Sequence, residues 1–304
     1  PYEQGVLYAG SDDGLLQITK DGGQNWVNIT PKGISDGIIN SIEVSPHDPA
    51  TAYIVIMRYK SMDLNPYVFR TNNYGQSWTK IVNGFNDPHG FVRVVREDQK
   101  RKGLLYAGTE TGLYISIDDG ANWQQFQLNL PIVAINDLVI QDNDLVAATA
   151  GRSFWILDDL GAIQNIKTDK GSVNIFKPKD TYRIFGGSAN NFIPGLGQNP
   201  KSGVTFDYYL GKDIDSLELK LEVLEDSKVI RTYSSKKDKD FKSWPGGPSA
   251  PQVLPAKKDY NRFTWDFQRE SLPGVDNVFV HGDHSGSNVA PGNYTLRLSL
   301  ENEG

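Results

Sequence analysis

Short runs in which apolar and polar residues alternate, each ended by Gly, Pro, Asn or Asp, fill the first half of this chain. A period of two over so few residues predicts strands joined by tight turns rather than helices. Ile38–Val44 reads Ile-Ile-Asn-Ser-Ile-Glu-Val, and Thr51–Met57, Tyr67–Thr71 and Ser77–Val82 follow it. The same quartet recurs as Phe91–Val95, Leu104–Gly108, Gly112–Ile117 and Asn122–Phe126, and again as Ile135–Ile140, Leu145–Thr149, Ser153–Leu157 and Ala162–Ile166. An earlier, shorter set opens with Val6–Gly10. Leu7-Tyr-Ala-Gly-Ser-Asp-Asp-Gly14 aligns with Leu105-Tyr-Ala-Gly-Thr-Glu-Thr-Gly112, so Val6–Gly10 corresponds to the second strand of the later sets. The innermost strand of that first repeat would lie before Pro1, and the chain is expected to be part of a longer polypeptide.

One octapeptide punctuates the repeats: Thr19-Lys-Asp-Gly-Gly-Gln-Asn-Trp26, Thr71-Asn-Asn-Tyr-Gly-Gln-Ser-Trp78 and Ser116-Ile-Asp-Asp-Gly-Ala-Asn-Trp123. Its tryptophans stand 52 and then 45 residues apart. A Trp-bearing signature at this period predicts the blades of a β-propeller, about four of them here and an incomplete ring. Each position has a physical reason. Asp21, Asn73 and Asp118 can accept the N–H groups of their own turn, helped by the Ser or Thr two residues earlier. Gly23, Gly75 and Gly120 supply a positive φ. Trp26, Trp78 and Trp123 cover the hairpin and pack between blades. In the fourth repeat Asp158 keeps its place, but Ile156 stands for the Ser and Leu160 for the Gly. The octapeptide is similar to the Asp-box, or BNR, repeat of sialidases, xyloglucan-active hydrolases and sortilin-like propellers. That resemblance implies a structural role at the blade periphery for these nine residues.

Beyond Ile166 the pattern changes, and the domains are expected at 1–170 and 171–304. Val173–Phe176, Tyr182–Phe185, Val204–Leu210, Leu217–Leu224, Lys228–Ser234, Phe263–Phe267 and Tyr294–Leu300 read as strands. Leu217–Leu224 alternates cleanly, and Glu225-Asp-Ser-Lys228 turns it into Lys228–Ser234. Many short strands without a helix predict an immunoglobulin- or fibronectin-III-like β-sandwich, and the class of the whole chain is all-β. Gly186–Gly203 and Ser235–Lys258 read as long loops.

Four segments carry a wider resemblance: Ala148-Thr-Ala-Gly-Arg-Ser-Phe-Trp-Ile-Leu-Asp-Asp159, Phe176-Lys-Pro-Lys-Asp-Thr-Tyr-Arg183, Asp207-Tyr-Tyr-Leu210 and Asn261-Arg-Phe-Thr-Trp-Asp266. Through them the chain resembles the C-terminal part of large Bacteroidetes-type proteins with BNR or sortilin-like repeats that carry the glycosyl hydrolase name. That family usually has Thr-His-Gly-Arg where this chain has Ala150 in the His position. The resemblance implies an extracytoplasmic protein, periplasmic, surface-bound or secreted. Its partners would be the remaining blades, in the same polypeptide or another chain, and a protein or glycan ligand.

Composition narrows the chemistry. A net charge of −6 without a basic block argues against nucleic acid as a partner, and no apolar run approaches a membrane span. The absence of cysteine excludes disulfides, thiol catalysis and Cys-ligated zinc. Glycoside hydrolysis requires two carboxylates facing each other across a cleft. Weak candidates in the loops between the second and third strands and between blades are Asp12, Asp36, Asp63, Asp87 and Glu110, beside Asp13. Arg58, Lys60, His89 and Arg152 are candidate binding residues. Sialidase chemistry is set aside, because Tyr182-Arg-Ile-Phe185 follows the last blade and lacks the Pro of an Arg-Ile-Pro segment. His281-Gly-Asp-His284 reads as a polar loop before it reads as a metal site, and Asp142-Asn-Asp144 as a hairpin turn. Asn28-Ile-Thr30 and Asn293-Tyr-Thr295 match a glycosylation triplet, and Gly195-Leu-Gly197 lacks the strand–helix context of a phosphate loop. Neither metal nor cofactor is expected. The favoured function is a binding module; the alternative is a xyloglucanase-like glycoside hydrolase completed by further blades.

Overall fold

The computed structural model describes residues 3–166, 173–183, 202–214 and 217–302, and the chain divides into two compact units, Pro1–Leu160 and Gly161–Gly304. The boundary expected at 170, nearly all of the Gly186–Gly203 loop and Gly195-Leu-Gly197 lie outside the described residues.

The first unit is a partial β-propeller of four blades. The first sheet holds β1 (Leu7–Gly10), β2 (Leu16–Thr19) and β3 (Val27–Asn28), in that order. The second holds β4 (Ile38–Val44), β5 (Ala52–Met57), β6 (Val68–Thr71) and β7 (Thr79–Lys80). The third holds β8 (Val92–Glu97), β9 (Leu105–Thr109), β10 (Leu113–Ser116) and β11 (Gln124–Gln125), and the fourth β12 (Ile135–Gln141), β13 (Asp144–Thr149) and β14 (Phe154–Leu157). Every pairing is antiparallel and every neighbour in the sheet is the neighbour in sequence. The three innermost strands share one irregularity: a register shift near the start, at Ile39/Ser41, Val92/Val94 and Ile135/Asp137. A bulge repeated at one position bends each blade in the same way.

Near-continuous apolar runs in the middle strands, such as Ala52–Met57, give those blades two apolar faces, so consecutive sheets bury each other. Leu16, Ile18 and Ile29 of the first blade pack with Ile39, Ile54 and Phe69 of the second. Tyr53, Val55 and Val68 of the second pack with Val92, Val95, Leu105 and Ala107 of the third. A glycine marks the closest approach: a side chain on Gly10 would overlap Ile39, and one on Gly108 would overlap Ile135 and Val94.

The fourth strand expected at Ala162–Ile166 does not form. Residues Gly161–Gln164 make a single helical turn, α1, with Asn165 N–H donating to the Gly161 carbonyl at 3.2 Å. The degenerate octapeptide explains this. Leu160, where the other repeats have Gly, is buried, and its N–H donates to the Asn143 carbonyl at 2.8 Å. Asp159 N–H donates to Asp144 Oδ1 at 2.8 Å, so the turn between β12 and β13 replaces the local box. Ala and Gln, good helix formers, then follow. That β12–β13 turn is the one expected at Asp142-Asn-Asp144, with positive φ at both Asp142 and Asn143 as a two-residue hairpin requires.

The second unit is a sandwich of two three-stranded antiparallel sheets. One is ordered β15 (Val173–Ile175), β16 (Val204–Leu210), β19 (Asp259–Trp265); the other β18 (Lys228–Ser234), β17 (Leu217–Glu225), β20 (Thr295–Asn302). Their inner faces share a core of Phe206, Tyr208, Leu219, Leu221, Tyr233, Phe263 and Trp265. The β17–β18 turn has positive φ at Asp226 and Ser227, the second hairpin placed correctly from sequence. The third strand of the first sheet begins at Asp259, earlier than the expected Phe263. Tyr182 and Arg183 belong to no strand, and Ile184 and Phe185 lie outside the described residues. The 235–258 loop is tied down: Leu254 is buried in the core and donates its N–H to the Ser234 carbonyl at 2.9 Å.

Candidate functional site

Antiparallel strands sort the loops of the propeller to two ends. The connections entering β4, β8 and β12 leave at the same end as the β1–β2, β5–β6, β9–β10 and β13–β14 loops. All nine weak candidates fall there. Asp12 lies in β1–β2; Asp36 enters β4; Arg58, Lys60 and Asp63 lie in β5–β6; Asp87 and His89 enter β8; Glu110 lies in β9–β10 and Arg152 in β13–β14.

Three of them meet. Arg58 Nη2 and Nε donate to Asp36 Oδ1 at 2.6 and 2.9 Å, while Nη1 donates to Asp63 Oδ2 at 2.8 Å and to Tyr67 Oη at 3.1 Å. Ser61 Oγ donates to Asp36 Oδ2 at 2.7 Å, and Asn65 caps Asp63 Oδ1 through its backbone and side-chain amides. The ring of Tyr67 is flanked by Arg58 and by Lys80 Nζ, the latter 4.0 Å from its centre. Next to this cluster Tyr59 stacks on Phe91 at 5.7 Å, Arg93 lies over Phe91, and Arg93 Nε donates to Glu110 Oε2 at 2.6 Å. Asp87 Oδ1 accepts the His89 N–H at 2.8 Å. Asp12, Lys60, His89 and Arg152 are exposed. Asp13, neighbour of Asp12, takes the Ser11 hydroxyl.

Electrostatics sets the chemistry of this face. The Ser61 hydroxyl and then the Arg58 guanidinium hold Asp36 below the usual carboxylate range. Burial pushes Asp63 up, but Tyr67, Asn65 and Arg58 together bring it below that range as well. The Thr111 hydroxyl and the His89 N–H lower Asp87. A glycosidase acid needs a raised pKa, and a cation sitting between two carboxylates fills the place where the glycosidic oxygen would go. These interactions favour the ionised form of Asp36, Asp63 and Asp87.

The octapeptide turns lie at the opposite end of the sheets. Thr19 Oγ1 donates to Asp21 Oδ1 at 2.7 Å, and Asn25 N–H and Nδ2 donate to its two oxygens at 2.9 and 2.7 Å. Those Asn25 bonds come first in lowering Asp21 to a pKa of about 2. The second and third repeats reproduce the pattern, Ser77 N–H reaching Asn73 Oδ1 at 3.0 Å and Asn122 N–H reaching Asp118 Oδ1 at 2.9 Å. Trp78 Nε1 donates to the Ile29 carbonyl of the preceding blade at 2.7 Å, and Trp123 Nε1 to that of Ile81 at 3.0 Å. Trp26 departs from the expectation of packing between blades: it is 42% exposed and donates to Gly23 of its own turn.

A polar network occupies the inner strands. Arg96 reaches Asp137 Oδ1 at 2.7 Å, the Leu138 carbonyl at 2.8 Å, Ser41 Oγ at 3.0 Å and Glu43 Oε2 at 3.6 Å, linking blades two, three and four. Burial pushes Glu43 up to about 7, and Arg96 reverses only part of that.

Sequence reasoning missed Tyr59, Met62, Phe91 and Arg93. A signal existed. The β5–β6 loop spans residues 58–67 and the β9–β10 loop residues 110–112. The unequal Trp spacing reflects this longer loop. In it Tyr59–Ser61 form a short 3-10 helix that Met62 ends in the left-handed region, φ 59°, with its side chain 89% exposed. In the second unit, His281 packs against Phe279, His284 Nε2 lies 3.2 Å from the Gly246 carbonyl, and Asp283 Oδ1 accepts the Ser285 N–H. Among the described residues no three His, Cys, Asp or Glu are arranged to hold a metal. A cavity of about 760 Å³ in the same unit is walled by Trp265, Phe267, Tyr294 and the 177–183 segment, and contains none of the predicted site residues.

No protein-family model matches the chain, and no curated protein does. Among solved structures it is similar to YCF48 bound to D1 peptide, at 24% identity over 52% of this chain and 49% of that one, TM-score 0.40. It is similar to the GH74 xyloglucanase from Xanthomonas campestris at 19% identity, over 52% and 28%, TM-score 0.41. It is also similar to an ancestral GH74 enzyme at 15% identity, over 82% and 33%, TM-score 0.40. The chain spans less than half the length of each.

Proposed function

We propose that this protein is a non-catalytic recognition module of the extracytoplasmic space, and that its ligand, a polypeptide segment, docks on the loop face of the second and third blades. The observation that carries this reading is the lengthened 58–67 loop, fixed at its base by Arg58 and presenting Tyr59 and Met62 outward. A thioether is soft and adaptable and offers only a weak acceptor to hydroxyl groups, so an exposed Met beside an aromatic stack suits a polypeptide better than a glycan. Lys60 and His89 lie in the loops beside it and supply adjustable polar contacts. Extracytoplasmic placement rests on the sequence resemblance alone; fractionation of the host with an antibody to this chain tests it.

The second reading, glycoside hydrolysis, draws on two carboxylates, Asp36 and Asp63, on one loop face, and the Arg58 guanidinium bound between them counts against it. One experiment separates the two. The full chain is screened on a random-peptide array and assayed for reducing sugar released from xyloglucan, beside Tyr59→Ala/Met62→Ser and Asp63→Asn. Peptide binding lost in the double variant, with no sugar released by any protein, supports recognition. Sugar release abolished by Asp63→Asn, or peptide binding indifferent to the double variant, overturns it.

A further inference from the structure

The outward faces of the two sandwich sheets differ in kind. On β17 and β20 the outward side chains form a plain solvated surface: Glu222 Oε2 accepts from Arg297 Nε at 2.7 Å, and Lys220 pairs with Glu301 at 3.4 Å. On β15, β16 and β19 the outward positions carry rings instead. Register places Asn174 opposite Tyr209 and Tyr209 opposite Tyr260. Phe176, just past β15, is anchored by its N–H to the Asp207 carbonyl at 2.9 Å. The Phe176 and Tyr260 rings are nearly parallel, 5.9 Å apart and inclined by 16°, and Tyr209 lies 5.3 Å from Tyr260. Beside them Arg262 Nε and Nη2 grip the two oxygens of Asp207 at 2.8 and 2.9 Å. Tyr260 is 46% exposed.

We propose that this face binds a short neutral glycan, its pyranose rings lying against Tyr260 and its two aromatic neighbours. The C–H faces of a sugar are apolar and weakly positive, and complement the negative face of an aromatic ring. Its hydroxyls, donors and acceptors at once, pair with planar groups in fixed orientation, and the Asp207–Arg262 pair offers an acceptor and a donor side by side. Because Asp207 and Arg262 cancel each other's charge, the face has no local electrostatic preference for a polyanion or a polycation. The small size of the aromatic patch argues against a protein partner. Three strands about 4.8 Å apart make a patch roughly 10 Å wide, whereas a protein partner covers roughly 800 Å² and 20–30 residues a side. This site is independent of the one on the propeller loops.

The test is native affinity electrophoresis of the full chain in gels containing xyloglucan, mixed-linkage β-glucan or galactomannan. The chain should be retarded in at least one gel. Tyr260→Ala should weaken the interaction about tenfold, while Tyr260→Phe keeps it within about twofold. Tyr59→Ala/Met62→Ser should migrate like wild type, which separates this site from the loop face. Unchanged melting of Tyr260→Ala controls for folding, with Tyr209→Ala as a second variant should the first misfold. Wild type unretarded in all three gels, or both alanine variants retarded as wild type, overturns the proposal. So does a dimer by light scattering that Tyr260→Ala dissociates, since that would make a second copy the occupant.

Discussion

Trp26 and Trp123 end the same octapeptide, yet the first is 42% exposed and the second 4%. The turns preceding them are alike bond for bond, with Asn25 and Asn122 donating to their Asp at matching distances. What differs is the neighbour. Trp123 has the Ile81 carbonyl of the preceding blade to donate to, and Trp26 bends back on Gly23. The octapeptide thus contains two devices: a turn that closes by itself, and an indole that gains its burial only from a second blade.

That separation can be broken by mutation. Trp123→Ala should cost about 3–5 kcal/mol, as for other buried aromatic truncations, and Trp26→Ala less than about 1. Denaturant midpoints at unchanged slope read the difference, and equal losses would show that Trp26 is covered in solution. Glycine sharpens the point. A side chain on Gly120 would strike Ile81, whereas around Gly23 the nearest atoms are those of Trp26 at 4.0 Å, and both glycines have positive φ. Gly120→Ala should cost about 2–4 kcal/mol and Gly23→Ala about 1, from φ alone.

The inner ends of the same blade contacts are polar, and they answer to pH. Glu43 sits at about 7 against an ordinary 4.5. Since its neutral form is the one the fold favours, its stabilising contribution is complete below pH 4.5 and disappears as pH rises through 7. Glu43→Gln, always neutral, should match wild type at pH 4 and exceed it by about 1–3 kcal/mol at pH 8. A less stable variant at pH 8 would mean that Arg96 holds Glu43 ionised. The smallest effect belongs to the loop face: Met62→Ser should leave stability within about 0.5 kcal/mol, checked by thermal melting, while removing peptide binding.

Blade count, strand order and both two-residue hairpins were legible because each rests on local pattern: alternation, a repeated turn, paired residues with positive φ. The fate of Ala162–Ile166 was not, since it turned on Leu160 finding a buried place against Asn143, a contact no local rule contains. The loop-face acids were read into loops that the structure gathers at one end of the sheets, but their pairings were hidden. Arg58 reaches Asp36 across 22 positions of sequence, and no local pattern shows that two of the candidate acids share one guanidinium. Tyr59 and Phe91 were invisible for the same reason: they form a stack only when two loops meet.

The 58–67 loop enters and leaves through β5 and β6, strands whose own pairing is regular from Ala52 to Val55. Extra length there leaves the blade undisturbed, and lengthening a flexible connection adds only about 0.6 kcal/mol per doubling. The second blade is accordingly a frame for exchangeable segments. A foreign stretch grafted in place of Tyr59–Met62, with Arg58, Asp36 and Asp63 kept to clamp its root, should be displayed on a scaffold that folds as before, so that specificity and architecture can be varied separately.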